Sequence, residues 1–336
     1  MSFHPAPVTT AVHPAERSRP LRPIIIITGP TATGKTAVGV ALAKQLNGEV
    51  INADSQLVYR GLNIGTATPT PEEREGIVHH VMDVALPNEA FSAGQYQQHA
   101  TAALLECYQR GKTPIFVGGT GFYLRSLFEP MALANVATHP ELRQQLEAEI
   151  AQQGLAGVFQ RLQQLDPIRA SQLMPTDAQR IVRALEINLL TGQPVPQTPQ
   201  PSWVSQQFPS GVMPPVYWFA LGFRDKAHHW ELIAQRIDTM LADGWLEEVA
   251  TLVQTYGADA HALQVAHGYP VLQQVLQGTL NLHKAKEVIA IQVRQYARRQ
   301  RVWLQKVQAP QGVQWLYRDE LPTTASVIDA ILQQCV

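Results

Sequence analysis

Four consecutive isoleucines, Ile24 to Ile27, run without a polar break into Thr28 and a glycine, the pattern of a strand buried on both faces of a sheet. Val38, Leu42 and Leu46 then recur at helical spacing. Glu49 to Ala53 is a second short strand. Phe91 to Arg110 reads as a helix with Ser92 as its cap and Gly111 as its stop, and Pro114 to Val117 is a third strand entering a helical start at Phe122 to Leu127. Tyr59 to Pro71, rich in glycine, threonine and proline, reads as a loop. Strands alternating with helices predict a parallel α/β sheet.

From about His139 the pattern turns to helix after helix. Pro140 starts the first, with Leu142, Leu146 and Ile150 as its buried face and Gly154 as its end. A second runs to Asp166-Pro167, and a third begins near Asp177, buries Ile181, Ala184, Leu185 and Ile187, and stops at Thr191-Gly192. A linker follows with prolines at 194, 196, 199, 201, 209, 214 and 215, too many for helix or central strand. Val216 to Phe223 reads as a strand returning to the sheet, and the rest as mainly helical. One helix, about His228 to Ala242, turns Ile233, Ile237, Met240 and Leu241 inward and leaves Arg236 elsewhere on its surface.

Chemistry enters directly after the first strand. Gly29, Pro30, Thr31, Ala32, Thr33, Gly34, Lys35 and Thr36 spell G-x-x-x-x-G-K-T between a strand and a helix. There, successive N–H groups and a helix N-terminus face a phosphate, the lysine reaches the terminal phosphates, and the threonine hydroxyl can sit on Mg²⁺. A glycine-rich turn that binds nothing would not need the lysine. The second strand delivers Asp54 and Ser55 at the same edge of the sheet, and Gly118-Gly119-Thr120-Gly121 forms another glycine-rich turn there. The expected fold is α/β, a P-loop NTPase-like parallel sheet with an inserted all-helical domain. Its expected divisions are a disordered tail at 1–20, core at 21–135, the insert with its linker at 136–204, and the rest of the core at 205–336.

Composition narrows the partners. The 336 residues carry a net charge of −1, so any nucleic-acid surface must be local. The helix from about Lys284 to Lys306 supplies one, with seven cations against Glu287 and a local charge of +6. Arg294, Arg298 and Arg301 share a face of it by spacing. The only two cysteines, Cys107 and Cys335, make neither a disulfide framework nor a zinc site, which fits a reducing cytoplasm. Apolar runs are shorter than the roughly 20 residues of a membrane span.

Taken together, the motifs resemble the tRNA dimethylallyltransferase (isopentenyltransferase) family nearly end to end. The matching stretches are GPTATGKT (29–36), INADS (51–55), GLNIGTATP (61–69), HHVMD (79–83) and VGGTGFYL (117–124). Further on come DAQRIVRALEI (177–187), MLADGW (240–245) at the end of the Arg236 helix, HGYP (267–270) and RQYARRQRVW (294–303). The resemblance implies transfer of a dimethylallyl group from dimethylallyl diphosphate to N6 of the adenosine 3′ of the anticodon, with Mg²⁺ and release of pyrophosphate. It implies catalytic roles for Asp54, Thr120 and Arg236; the motif itself puts Mg²⁺ on Thr36, and Asp54 holding that ion through water is the alternative to its catalytic role. It implies contacts with the tRNA anticodon stem-loop from Asp54, Ser55, Gln56, Leu57, Thr120, Arg143, Gln179, Arg180, Arg183, Arg294, Arg298 and Arg301. The expected protein is a monomer with no zinc and no membrane segment. Leu57 departs from a glutamine that reads the target base in many members, with Gln56 beside it. Thr68 replaces a usual lysine, and Leu232 and Pro270 replace usual basic residues.

Each assignment has a plainer counterpart. Asp54 is either a general base or the acid that holds Mg²⁺ through water in a P-loop NTPase. Thr120 is either a hydroxyl aimed at the base or a helix cap. Arg180 and Arg183 either meet tRNA or pair with Asp177 and Glu186. Arg143 is either an RNA contact or a solvated side chain. The histidine pairs 79-80 and 228-229 read as packed or surface residues. The rival function is a small-molecule or nucleoside kinase using the same cradle for ATP; a basic helix and a helical arm are more than a small acceptor requires. A non-catalytic RNA-binding protein would not need Lys35, Thr36 and Asp54 intact.

Overall fold

The computed structural model describes residues 21–131, 136, 139–208, 212–307, 309 and 312–335. The expected tail at 1–20, the boundary at 135 and Pro209 lie outside the described residues. Six strands, β1 (Ile24–Thr28), β2 (Gly48–Asn52), β3 (His79–His80), β4 (Thr113–Val117), β5 (Val216–Gly222) and β6 (Val313–Tyr317), form one sheet in the order β3-β2-β4-β1-β5-β6. Every pairing is parallel. The isoleucines of β1 explain its place near the middle. Ile24 and Ile26 pack into the core on one face, Ile25 and Ile27 into the core on the other, and none of the four is exposed. Each such burial is worth about 1.5–3 kcal/mol.

In the first half of the chain the sheet is joined by α1 (Lys35–Gln45), α2 (Pro71–Arg74), α3 (Ala93–Gln109) and α4 (Gly121–Phe128). Ser92 caps α3 as expected, in a reciprocal box with Gln95. Four helices, α5 (Pro140–Gln153), α6 (Leu155–Leu165), α7 (Pro167–Ser171) and α8 (Ala178–Thr191), share a separate apolar cluster built on Leu146, Val158, Leu162, Ile181 and Leu185. After β5 come α9 (Lys226–Ala242), α10 (Trp245–Tyr256), α11 (His261–Val265), α12 (Tyr269–Leu276), α13 (Leu282–Leu304) and, past β6, α14 (Thr324–Cys335).

The short elements α2 and β3 escape the sequence reading, and so do α7 and β6. Asp166-Pro167 looks like a stop, yet proline fits the first position of a helix, and the Asp166 carboxylate caps α7 by accepting from Arg169 N–H at 2.9 Å. β6 is an edge strand whose side chains are mostly half-buried, so it lacks the apolar run of the central strands.

The insert is tied together by Glu186, whose side chain is fully buried in α8. Its carboxylate accepts from His139 N–H at 2.6 Å, from Arg143 Nε and Nη2 at 3.0 Å each, and from Arg183 Nη1. Arg183 Nη2 also donates to Val136 O at 2.6 Å. Burial alone would raise the Glu186 carboxyl, but the hydrogen bonds from Arg143, His139 and Arg183 outweigh it and hold the group below its ordinary value. Glu186→Gln leaves two guanidinium groups short of their charge partner, and a loss of about 3 kcal/mol from the insert is expected in urea unfolding at neutral pH. A carboxyl depressed on folding stabilises fully above its unfolded pKa of about 4.3. That contribution fades as the pH falls through the lower folded value, so the difference between wild type and Glu186→Gln should shrink in acid.

Candidate active site

With every strand parallel, the carboxyl ends of β1, β4 and β2 open on one edge and present three loops side by side. The loop after β2 is fixed by Asn52. Its Oδ1 accepts from Asp54 N–H at 2.8 Å, while its Nδ2 donates to Asp54 O and Val81 O at 2.9 Å. Asp54 Oδ1 in turn accepts from Gln56 N–H at 2.9 Å. Thr120 precedes α4 but makes no side-chain cap there. Its hydroxyl instead accepts from Ser55 N–H at 2.9 Å and donates to Ser55 Oγ at 3.1 Å, joining the loop after β4 to the loop after β2.

The loop after β1 is a close-fitting turn. Gly29 has φ of 137°, and a Cβ there would stand 2.3 Å from Leu221 O, so only glycine can follow the strand. Thr33 Oγ1 and Lys35 Nζ both donate to Pro30 O, at 2.9 and 2.8 Å. Gly34 at the start of α1 has φ of 80° and offers no side-chain cap, which leaves the first amides of an 11-residue helix directed at the loop's mouth. Burial pushes the Lys35 ammonium down to about 8, with Asp54 opposing the fall and Arg236 adding to it. An ammonium that must stay charged to bind an anion loses that ability as the pH rises through its pKa. The kcat/KM for an anionic donor should therefore decline above about pH 8, and kcat should decline later because the bound anion favours the charged form; a pH series on both parameters checks this.

Between these loops and α9, α10 and α13 lies a cleft open to solvent. Thr31, Ala32, Asp54, Gln56 and Arg236 give it a polar side; Ile233, Ile237, Met240, Trp245 and Val293 give it an apolar one. His267 and Tyr296 also line it, their rings 4.4 Å apart. Lys35 is tied to this cleft through its electrostatic coupling to Asp54 and Arg236. The glutamine in the wall is Gln56, and Leu57 is not part of it.

Arg236 is not set apart from the buried face of α9 as the sequence suggests. It falls between Ile233 and Ile237 on the stripe that faces the cleft, a cation on an otherwise apolar surface. Burial lowers its guanidinium below the ordinary value, and the charges of Asp54 and Glu73 oppose that fall. The cleft wall is braced by Glu248 of α10. Its carboxylate accepts from Asn63, Ile64 and Gly65 N–H at 2.8, 2.7 and 3.2 Å and from Tyr269 Oη at 2.7 Å, so the glycine- and threonine-rich loop is held against the site.

The residues expected to meet RNA are less uniform. Gln179 and Arg180 are exposed on α8, and Arg180 Nε stands 3.5 Å from Asp177 Oδ2. Arg143 and Arg183 spend their guanidinium groups on Glu186. On α13, Arg298 is exposed and Arg294 half-buried, while Arg301 turns away to donate to Phe223 O at 3.0 Å and to lie 5.7 Å over the Trp315 ring. Arg299, beside Arg298, is exposed and lies 5.9 Å from the Tyr296 ring.

The histidine pairs also separate. His228 is exposed, and buried His229 brings Nε2 within 2.9 Å of Thr31 O. His80 Nε2 meets Glu49 Oε2 at 2.7 Å, with Cys107 Sγ at 3.6 Å from the same oxygen, a grouping that their sequence separation hides. Arg110 Nη2 takes that oxygen too, at 2.6 Å, which makes the group an ion pair already balanced.

An anion cradle, a carboxylate and a buried guanidinium opposite an apolar wall suit a substrate with a charged head and a greasy tail. Comparison with known proteins points the same way. Residues 57–307 match the model of the IPP transferase family. A tRNA dimethylallyltransferase of Pelotomaculum thermopropionicum is 37% identical over 294 residues, covering 88% of this chain and 90% of its own. One from Lacticaseibacillus paracasei is 37% identical over 316 residues, covering 94% and 98%. Among solved structures, the tRNA isopentenylpyrophosphate transferase of Bacillus halodurans superposes with a TM-score of 0.65 at 31% identity, over 94% of this chain and 97% of that one. A eukaryotic dimethylallyltransferase acting on tRNA gives 0.72 at 27%, over 92% and 78%.

Proposed function

The chain belongs to the IPP transferase family, and on that premise we propose that it moves the dimethylallyl group of dimethylallyl diphosphate to N6 of the tRNA adenosine 3′ of the anticodon, releasing pyrophosphate. The observation that carries this reading is the apolar wall of Ile233, Ile237, Met240, Trp245 and Val293 facing the phosphate cradle. A kinase places the sugar and base of ATP beyond its cradle, and a wall of this kind offers them no polar partner.

In the reaction, N6 attacks the allylic carbon as its bond to the diphosphate oxygen breaks. Asp54 accepts the proton that N6 releases, from a backbone that Asn52 holds still. The amides of Ala32 to Lys35, the Lys35 ammonium and Arg236 receive the charge that collects on the leaving diphosphate. Thr120, tied to Ser55, orients the base beside Asp54. The oxygen donors available, the Thr36 hydroxyl and the Asp54 carboxylate, fit Mg²⁺, which keeps several waters and relies on substrate phosphates for the rest of its shell. Such an ion would add positive charge beside the leaving group. Gln179 and Arg180 on the insert, with Arg294, Arg298 and Arg299 on α13, form two basic surfaces for the anticodon stem-loop; Arg143 and Arg183 support the first by shaping it through Glu186. No described helix is long and apolar enough to cross a membrane, and the reading makes the protein a cytoplasmic monomer.

Arg236 carries a separate expectation. A guanidinium clamps a diphosphate with two parallel hydrogen bonds, so Arg236→Ala should lower turnover by about 10²-fold and weaken the donor, and Arg236→Lys should recover little of either. Donor KM and single-turnover rates of the two variants check it, with full recovery by lysine counting against a fork. The reaction class is tested by incubating the protein with unmodified tRNA and labelled dimethylallyl diphosphate, with γ-labelled ATP in parallel. Prenyl label in tRNA supports the reading; phosphate label in an acceptor with none from the allylic donor defeats it.

A further inference from the structure

The diphosphate cradle and the turn that carries Thr120 come from different strands, and one side chain of α13 joins them. Gln300 is only 5% exposed. Its Oε1 accepts from Thr31 N–H at 2.9 Å, and its Nε2 donates to Gly119 O at 3.0 Å. The other side of Thr31 is held as well, since its carbonyl oxygen lies 2.9 Å from His229 Nε2 of α9. Directly after this doubly held residue the backbone takes a costly shape: Ala32 has φ of 61°, which a residue with a Cβ keeps only where its surroundings dictate it. The Thr31 amide is thereby spoken for, and the amides from Ala32 onward are the ones aimed at a ligand. The fit at the other end is equally close. A Cβ on Gly119 would stand 2.2 Å from Gln300 Nε2, so any larger residue there must push the amide off its partners.

We propose that Gln300 is a positioning residue that sets the phosphate loop against the Gly119-Thr120 turn, and with it the distance between the donor's diphosphate and the acceptor base. This rests on the prenyl-transfer reading above. Gln300 touches neither substrate in this role; it acts through two backbone groups, one in each loop. A residue that merely filled space would need no donor and acceptor at these two points, and leucine would serve as well.

The experiment compares wild type, Gln300→Leu, Gly119→Ala and the double variant, measuring donor KM, single-turnover rate and tRNA affinity, with melting temperature alongside. Loss of two hydrogen bonds is expected to raise donor KM and lower the single-turnover rate by about tenfold each in Gln300→Leu. Affinity for tRNA should stay within about twofold, because both bonds are internal to the protein. Gly119→Ala should reproduce the effect, and the double variant should be no worse than the weaker single one, as expected for residues that share one contact. Gln300→Met keeps the length of the side chain and also gives up both bonds, so a loss like that of leucine is expected, and it keeps the test open should leucine prevent folding. A lower melting temperature with wild-type KM and rate in the folded variants, or losses that multiply in the double variant, overturns the proposal. Absence of prenyl transfer by the wild type instead overturns the reading on which it rests, and the control arm separates the two.

Discussion

Replacing Lys35 by alanine is expected to lower prenyl transfer by about 10²- to 10³-fold while leaving tRNA affinity nearly unchanged. The lysine sits in the first turn of α1, donates to Pro30 O within the loop, and shares a field with Arg236 and Asp54. The lysine is half-buried and its pKa falls to about 8, so its charge acts at close range in a poorly screened place. The allylic bond breaks only as fast as the departing diphosphate can be stabilised, and the variant removes one of the two side-chain cations of the site. None of this touches the exposed arginines of α8 and α13. Single-turnover rates and tRNA titrations separate the two effects, and an equal loss of both would place Lys35 on the RNA rather than on the donor.

Asp54→Asn should lower the single-turnover rate by about 10²- to 10⁴-fold, the range for a lost general base, with little change in affinity for either substrate. The substitution is close to isosteric. Asparagine can still accept from Gln56 N–H through its oxygen, and Asn52 holds the backbone of residue 54 independently of the side chain. What goes is the negative charge and with it the ability to take the N6 proton. The same change removes the charge that opposes the fall of the Lys35 pKa, so the alkaline limb of kcat/KM should move to lower pH in this variant. A rate near wild type would show that Asp54 holds something other than the reacting amine.

What could be read from the sequence was what is local along the chain. The isoleucines of β1, the glycine spacing of residues 29–36 and the arrival of Asp54 after β2 depend on neighbours within a dozen positions, as do the strand–helix alternation that predicts the parallel sheet and the run of helices from about His139. What could not be read depends on pairing across long separations. Gln300 reaches back 269 positions to Thr31, His229 reaches back 198, and Glu248 reaches back 185 to Asn63. Each looks like an ordinary helix residue until the sheet edge collects them. The place of Arg236 on its helix, though not its nomination for the site, was misread for another reason. Its spacing from Ile233 and Ile237 puts it on the buried stripe, but a lone cation among apolar residues is conventionally assigned to solvent, and only the cleft explains why α9 keeps it there. The cleft's apolar wall is hidden by the same ambiguity, because a residue that lines a substrate pocket and one that fills a core obey the same periodicity. Thr120 departs from the cap reading, since its hydroxyl makes no helix cap and bonds Ser55 instead, a pairing across 65 positions that no local pattern announces.

The acceptor proposed here is one exocyclic amine on one adenosine. The direct measurement uses two transcripts of the same tRNA, one with adenosine and one with guanosine 3′ of the anticodon, each incubated with labelled dimethylallyl diphosphate, digested to nucleosides and resolved by chromatography and mass. Label is expected only in the adenosine transcript, in a single nucleoside identified as N6-(dimethylallyl)adenosine. Equal labelling of the guanosine transcript, or label in any other nucleoside, would contradict it.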